Sequence, residues 1–216
     1  MRFQNRTQAA KLLAERLLRR EDIESGAEQT IVLALPRGGV PLGEVIADSL
    51  NCQLDIVLVR KLGLPQFSEL AMGAIASNGI KVLNQVVVNA YRVSEADIAK
   101  VEAKQRELLL HREQLYRGSR PYPQLKGKTV IIVDDGIATG ATVKAAIKAV
   151  RMQQPVKIVL AVPVAPLDTL AELQTEVDQL ICLIEADDFQ AVGQYYQQFN
   201  QVSDAEVSAC LAKFWQ

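Results

Sequence analysis

The chain has little cysteine, few aromatic residues and a single histidine. Its three cysteines in 216 residues are Cys52, Cys182 and Cys210. They stand far apart and form no CxxC pair, which argues against a disulfide framework and against a zinc site of the usual spacing. Cys52 and Cys182 lie in or beside apolar stretches and read as buried free thiols. His111 sits among charged residues beside Arg112 and Glu113, and a lone histidine there reads as solvent-facing. Charge of one sign is missing too. With 24 basic and 25 acidic residues the net charge is −1, so no broad surface for nucleic acid or membrane is expected. No apolar run approaches the ~20 residues that cross a bilayer. The first residues are polar and lead into an amphipathic helix, unlike a secretory signal, so a cytoplasmic protein is expected. Two phosphate motifs are absent as well. Without GxxxxGK[ST] the chain does not read as a nucleoside-triphosphatase, and without GxGxxG it does not read as a dinucleotide fold.

What is present is an alternation of apolar strands with helices. Helical periodicity covers residues 6–20, about Pro41 to Leu50, Ser94–Tyr116, Thr139–Met152, Pro166–Gln174 and Asp204–Phe214. Ser94 and Asp97 are spaced like a capping box with Asp in place of Glu. Short apolar runs at Ile31–Leu35, Leu54–Val59, Thr129–Val133, Lys157–Val162 and Gln179–Leu183 lack polar alternation, as in central strands of a parallel sheet. Leu62–Asn78 carries Gly63, Pro65, Ser68, Gly73 and Asn78 and reads as a mobile loop with a hairpin. Val82–Val88 reads as further strand. The pattern predicts an α/β fold with a doubly wound, mainly parallel sheet. A single domain over 1–216 is expected, with its core at about 29–163 and a small lid formed by the chain ends, 1–28 and 164–216.

Ligands in such sheets bind at the carboxyl ends of the strands. The segment Val130 to Thr142 runs from a buried strand into Asp134 and Asp135, and then into Gly136-Ile137-Ala138-Thr139-Gly140-Ala141-Thr142. A carboxylate accepts hydrogen bonds from hydroxyls, and a ribose presents a vicinal pair. Ala138 to Thr142 offers backbone N–H groups at a helix N-terminus, which attract phosphate. Acids beside a phosphate loop suit a phosphorylated sugar. The turn Pro36-Arg37-Gly38-Gly39 follows the first strand. Its glycines let amides face an anion and Arg37 adds charge, which suits pyrophosphate. Alone it is also an ordinary strand-to-helix turn. Arg60-Lys61 ends the next strand, where Lys61 either helps with the same anion or forms a solvated basic pair. Glu69 lies in the mobile loop and reads as doing no more than keeping that loop soluble. Phe189, Tyr195, Tyr196 and Phe199 cluster late in the chain, for lid packing or for stacking on a flat ring.

The Val130–Thr142 segment resembles the phosphoribosyl-pyrophosphate (PRPP) motif of type I phosphoribosyltransferases. The Pro36–Gly39 turn resembles that family's pyrophosphate loop, and Leu62–Asn78 its mobile loop. Further stretches are similar to a bacterial subfamily of predicted phosphoribosyltransferases without an assigned substrate. They are Arg60-Lys61-Leu62-Gly63, Glu69 to Ala74, Ala161-Val162-Pro163-Val164 and Ala191-Val192-Gly193 with Tyr195-Tyr196. The likeness covers nearly the whole chain.

This resemblance implies a Mg²⁺-dependent transferase that moves ribose 5-phosphate from PRPP to a nucleobase or related nitrogen heterocycle. Asp134 and Asp135 would hold the ribose hydroxyls, directly or through Mg²⁺. Ala138 to Thr142 would wrap the 5-phosphate, with Gly136 and Ile137 also in the PRPP site. Arg37, Gly38 and Gly39 would hold pyrophosphate, with Lys61 as helper. Pro163, Phe189 and Val192 would line the base pocket. Hypoxanthine/guanine-type enzymes carry an Asp where this chain has Ala138, which disfavours a 6-oxopurine. A homodimer is implied by the family. The alternative is a non-catalytic PRPP-binding sensor. A DNA-binding sensor would add a helix-turn-helix, and residues 1–28 show one clear helix. An intact Arg37 loop and Lys61 favour catalysis.

Overall fold

The computed structural model describes residues 2–26, 28–68 and 70–215. Five strands form one parallel sheet: β1 (Thr30–Ala34), β2 (Gln53–Ile56), β6 (Thr129–Val133), β7 (Lys157–Pro166) and β8 (Gln179–Ala186). Their spatial order is β2-β1-β6-β7-β8. The chain therefore steps outward from β1 to β2, returns to the other side of β1 at β6, and then proceeds through β7 to β8. The reversal lies between β1 and β6, where doubly wound sheets open a crevice at their carboxyl ends. Helices α1 (Arg6–Leu18), α2 (Gly39–Leu50), α5 (Ala141–Arg151), α6 (Leu167–Gln174) and α7 (Asp204–Phe214) flank the sheet.

Strand periodicity explains why both faces are covered. Val32, Ala34, Ile131 and Val133 point one way and pack with Leu13 of α1, Ile46 of α2 and Leu211 of α7. Ile31, Leu33, Val130 and Ile132 point the other way, onto Val143 and Ile147 of α5 and Leu173 of α6. Because both faces are buried, these strands carry no polar alternation.

A second, antiparallel sheet of β3 (Val59–Gly63), β4 (Ala71–Ala76) and β5 (Lys81–Leu83) occupies the stretch between β2 and β6. Three sequence expectations change here. The strand expected through Val59 stops at Ile56, and Arg60 and Lys61 lie inside β3 rather than at the end of a central strand. The segment read as a mobile loop with a hairpin does hold one, but the β3–β4 hairpin takes up much of it, with a register shift at Leu62/Gly63. The strand expected over Val82–Val88 ends at Leu83 and gives way to α3 (Gln85–Ala90). Asn84 caps that helix by accepting from the Val87 amide at 3.3 Å. The cap and one buried valine, Val88, outweigh β-branched propensity in so short a piece. Helix α4 (Glu95–Tyr116) follows, capped by Ser94, which accepts from the Asp97 amide.

The two ends of the chain meet. Phe3 and Tyr196 form a parallel bridge. The Phe3 amide donates to the Tyr195 carbonyl at 2.7 Å, and the Gln197 amide donates to the Phe3 carbonyl at 2.8 Å. Phe3, Ala9 and Tyr196 form a small core of their own, with Val192 and Phe199 packed on it. This small core is built from the two segments expected to make a lid.

Candidate active site at the carboxyl edge of the sheet

The Pro36–Gly39 turn leaves β1 and the Asp134–Gly140 loop leaves β6. These strands are hydrogen-bonded neighbours, so the turns meet at the point of reversal. The Leu35 amide donates to the Val133 carbonyl at 2.9 Å and continues the ladder into the turn. The Pro36–Arg37 peptide bond is cis. A Cβ on Gly38 would collide with the Asp135 carboxylate, and one on Gly39 would lie 2.6 Å from the Val133 carbonyl oxygen. Both glycines are thus required by close approach of the two loops, as well as by any ligand.

Asp134 and Asp135 are both partly buried. The Asp135 amide donates to Oδ1 of Asp134 at 2.9 Å. Burial pushes the Asp134 carboxyl well above the usual carboxylate range, and the neighbouring Asp135 charge adds to this. Burial also raises Asp135, although a cation pulls it back. That cation is Arg6, at the start of α1. Its Nε and Nη2 both approach Asp135 Oδ2 at 2.8 Å, and each side chain is 13% exposed. Arg6 Nη1 donates to the Asn200 carbonyl at 2.7 Å, and the guanidinium lies 3.9 Å from the centroid of the Phe199 ring. The Tyr196 hydroxyl donates to the Asp135 carbonyl at 2.6 Å.

The phosphate-type loop is braced by the later part of the chain. The Ile137 amide donates to the Val164 carbonyl at 2.9 Å, and the Thr169 hydroxyl donates to the Ala138 carbonyl at 3.0 Å. A Cβ on Gly136 would meet Val192 at 2.5 Å. Gly140 has φ +69° and caps α5 without a side-chain hydrogen bond, so the helix begins at Ala141 rather than Thr139. Glycine suits that left-handed position. The amides of the first turn have no intrahelical partner. Ala138 and Thr139 are exposed beside them.

Other expected residues lie around this centre. Arg37 sits 3.8 Å from Asp204 at the start of α7. Lys61 and Thr142 line one cavity of about 510 Å³ between the hairpin and α4, together with Arg60, Ser68, Lys104 and Gln105. The hairpin therefore brings Lys61 to the phosphate-type loop, although β3 belongs to the second sheet. The residues expected at a base pocket are less of a set. Val192 packs by Gly136, and Phe189 stacks on Tyr195 at 5.7 Å between centroids. Pro163 is buried inside β7, which runs on to Pro166 instead of ending at Val162. Glu69 falls outside the described residues. His111 is exposed on α4.

Arg6 lies in none of the sequence motifs, and from sequence Tyr196 and Phe199 read as residues for lid packing or for stacking on a flat ring, not as partners of the acid pair. No local pattern marks Arg6, because its partner stands 129 positions away.

Among the described residues there is no group of three or more His, Cys, Asp or Glu placed to hold a metal ion. Two adjacent carboxylates still fit a Mg²⁺ that takes its other ligands from substrate phosphates and water, the usual arrangement for that ion. No helix among the described residues is long and apolar enough to cross a membrane.

Comparison with known proteins bears on the family and the fold. The family described as "Phosphoribosyl transferase domain" matches residues 4–200. A Mycobacterium tuberculosis protein named "Putative phosphoribosyl transferase Rv0571c" is 44% identical over 209 residues, which are 97% of this chain and 46% of that protein. The chain thus spans about half the length of the curated relatives it matches. The crystal structure of TT1426 from Thermus thermophilus superposes with a TM-score of 0.89 at 39% identity, covering 99% of each chain. A hypothetical protein from Neisseria gonorrhoeae with bound ppGpp shares the fold at a TM-score of 0.53 and 14% identity, over 99% of this chain and 94% of that one.

Proposed function

This chain belongs to the phosphoribosyl transferase family, and on that premise we propose that it transfers ribose 5-phosphate from PRPP to a ring nitrogen of a nucleobase or related heterocycle. The observation that carries the reading is the junction of two loops at the β1–β6 reversal. One loop presents two carboxylates beside an open helix N-terminus, and the other presents Arg37 with two glycines.

Each part of PRPP then has a partner. Asp134 and Asp135 accept hydrogen bonds from the ribose hydroxyls. The amides of 138–142, with the Thr139 and Thr142 hydroxyls, hold the 5-phosphate. Arg37 and the amides of Gly38 and Gly39 hold the pyrophosphate, and Lys61 approaches from the hairpin. In the reaction the acceptor nitrogen bonds to C1, the C1–O bond to pyrophosphate breaks, and its electron pair leaves with the pyrophosphate. The nitrogen then loses its proton. Positive charge gathers on the sugar in the transition state, and fixed carboxylates beside it are stabilising there. Mg²⁺, held with the substrate at Asp134 and Asp135, would offset charge on the leaving pyrophosphate. Val192, which packs by Gly136 of the Asp134–Gly140 loop, supports an acceptor side facing the later part of the chain, where Phe189 and Pro163 remain candidate lining residues. Assembly as a homodimer and a place in the cytoplasm belong to the same reading.

Support for catalysis over PRPP sensing comes from Arg37 and Lys61, since a sensor has no need to stabilise departing pyrophosphate. The test is pyrophosphate release from PRPP with Mg²⁺ across a panel of purines, pyrimidines and other nitrogen heterocycles. Release that depends on one acceptor establishes the transfer. PRPP binding without release for any acceptor contradicts it and favours the sensor.

A further inference from the structure

Arg6 belongs to no motif, yet two distant parts of the chain, the loop at Asp135 and the segment Phe199-Asn200, converge on its side chain. Two of its nitrogens reach Asp135 Oδ2 at 2.8 Å, a third reaches the Asn200 carbonyl at 2.7 Å, and its flat face covers Phe199. The guanidinium is largely withdrawn from water, so its contacts are not those of a solvated surface pair, which contribute little. A forked donor held by stacking on one side and by a carbonyl on the other has few ways to move. Asp135 is constrained to match. Its backbone carbonyl accepts from Tyr196, and its carboxylate lies against Gly38, where a single added carbon would collide with it.

The consequence concerns the acid pair. Among the described residues no cation forms an ion pair with Asp134, whereas Asp135 is fixed by one. The charged and titratable groups around Asp135 are Asp134 on its own loop, Arg6 from α1 and the Tyr196 phenol from the segment before α7, with Glu206 of α7 acting on Arg6. Without Arg6, Asp135 would lose the two contacts that fix its Oδ2 and could turn away from Asp134. With it, Asp135 stays beside Asp134 at a fixed angle.

We infer that Arg6 is a positioning residue for sugar recognition: it acts through Asp135, holds the acid pair in register with the ribose hydroxyls, and ties that register to the joined chain ends. The inference rests on the PRPP reading given above. Arg6 itself touches no substrate atom in this scheme. The position of a hydroxyl-binding acid is thereby set by a residue from the opposite end of the chain.

The test compares affinities of the intact protein for ribose 5-phosphate and 2-deoxyribose 5-phosphate, with Mg²⁺ present. Their ratio reports hydroxyl recognition and is insensitive to the fraction of protein that is folded. The wild type is expected to favour the ribose form by about tenfold, the scale of one charge-assisted hydrogen bond. Arg6→Gln should bring the ratio close to one, while inorganic pyrophosphate binds as before. Arg6→Lys should keep part of the preference, because it restores the charge without the fork. Amide hydrogen exchange gives a ligand-free readout, in which Phe3 and Gln197 should exchange faster in Arg6→Gln than in Arg6→Lys. An unchanged ratio in Arg6→Gln overturns the inference while leaving the PRPP reading intact. A wild type with no preference removes the acid pair from sugar binding, and the inference with it.

Discussion

Two buried aspartate–arginine pairs make an instructive contrast. Asp55 of β2 pairs with Arg117, just after α4, and Asp135 pairs with Arg6 at the site. Each joins segments far apart in sequence, and in each burial raises the carboxyl although the arginine opposes it. The Asp55–Arg117 pair matches one carboxylate with one cation, although Arg117 Nε is buried without a hydrogen-bond partner among the described residues. Arg117 also donates to the Pro121 carbonyl and lies between the Tyr122 and Trp215 rings, while Asp55 accepts from the Ile56 amide. Its side chains are 5% and 4% exposed. The Asp135–Arg6 pair has a surplus: a second carboxylate, Asp134, stands beside it with no ion pair of its own among the described residues. Glycine-rich loops lie next to that surplus, where ordinary side chains lie around the other pair. A balanced pair locks a connector in place, whereas an unbalanced one beside an open helix end has capacity left for a ligand.

The contrast can be broken in order of expected size. Arg117→Ala leaves Asp55 buried without its partner and should cost about 3–5 kcal/mol of stability, read by denaturant unfolding. The protein that remains folded should bind PRPP as the wild type does. A loss below about 1 kcal/mol would remove the distinction between a locking pair and a site. Gly38→Ala forces a methyl group into the Asp135 carboxylate and should cost about 1–3 kcal/mol. Unlike Arg117→Ala it should weaken PRPP binding in the folded fraction, and intact binding would show that the two loops are not one site. The smallest effect has the opposite sign. Folding raises the Asp134 carboxyl above its ordinary value, so the folded protein holds that proton more tightly than the unfolded chain. Its contribution to stability is therefore lost as pH rises from the ordinary carboxylate range through the raised value. Asp134→Asn lacks this cost and should melt a few degrees above wild type at about pH 7, with the gap closing toward about pH 4. A lower melting temperature at neutral pH would mean that Asp134 supports the fold and is not held against it.

Much of the sheet was legible because burial on both faces leaves uninterrupted apolar runs, such as Thr129–Val133 and Lys157–Val162. The turns after β1 and β6 were legible because glycines and acids follow those runs directly. Val82–Val88 misled because its run of β-branched residues favours strand, while a capping asparagine, readable only in hindsight, starts a helix. Arg60-Lys61 was placed on the wrong sheet because an apolar run does not show where it changes partners. Arg6 could not be read at all. Its role depends on two chain ends meeting, and that meeting is a property of the packed fold, held by Phe3, Tyr196 and Phe199.

The most direct measurement of the central claim is PRPP binding to the wild type and to the Asp134→Asn, Asp135→Asn double variant, with thermal unfolding recorded in parallel. The account predicts that the double variant unfolds as cooperatively as the wild type and binds PRPP at least about 100-fold more weakly, the loss of two charge-assisted contacts. A folded double variant with wild-type affinity would contradict it.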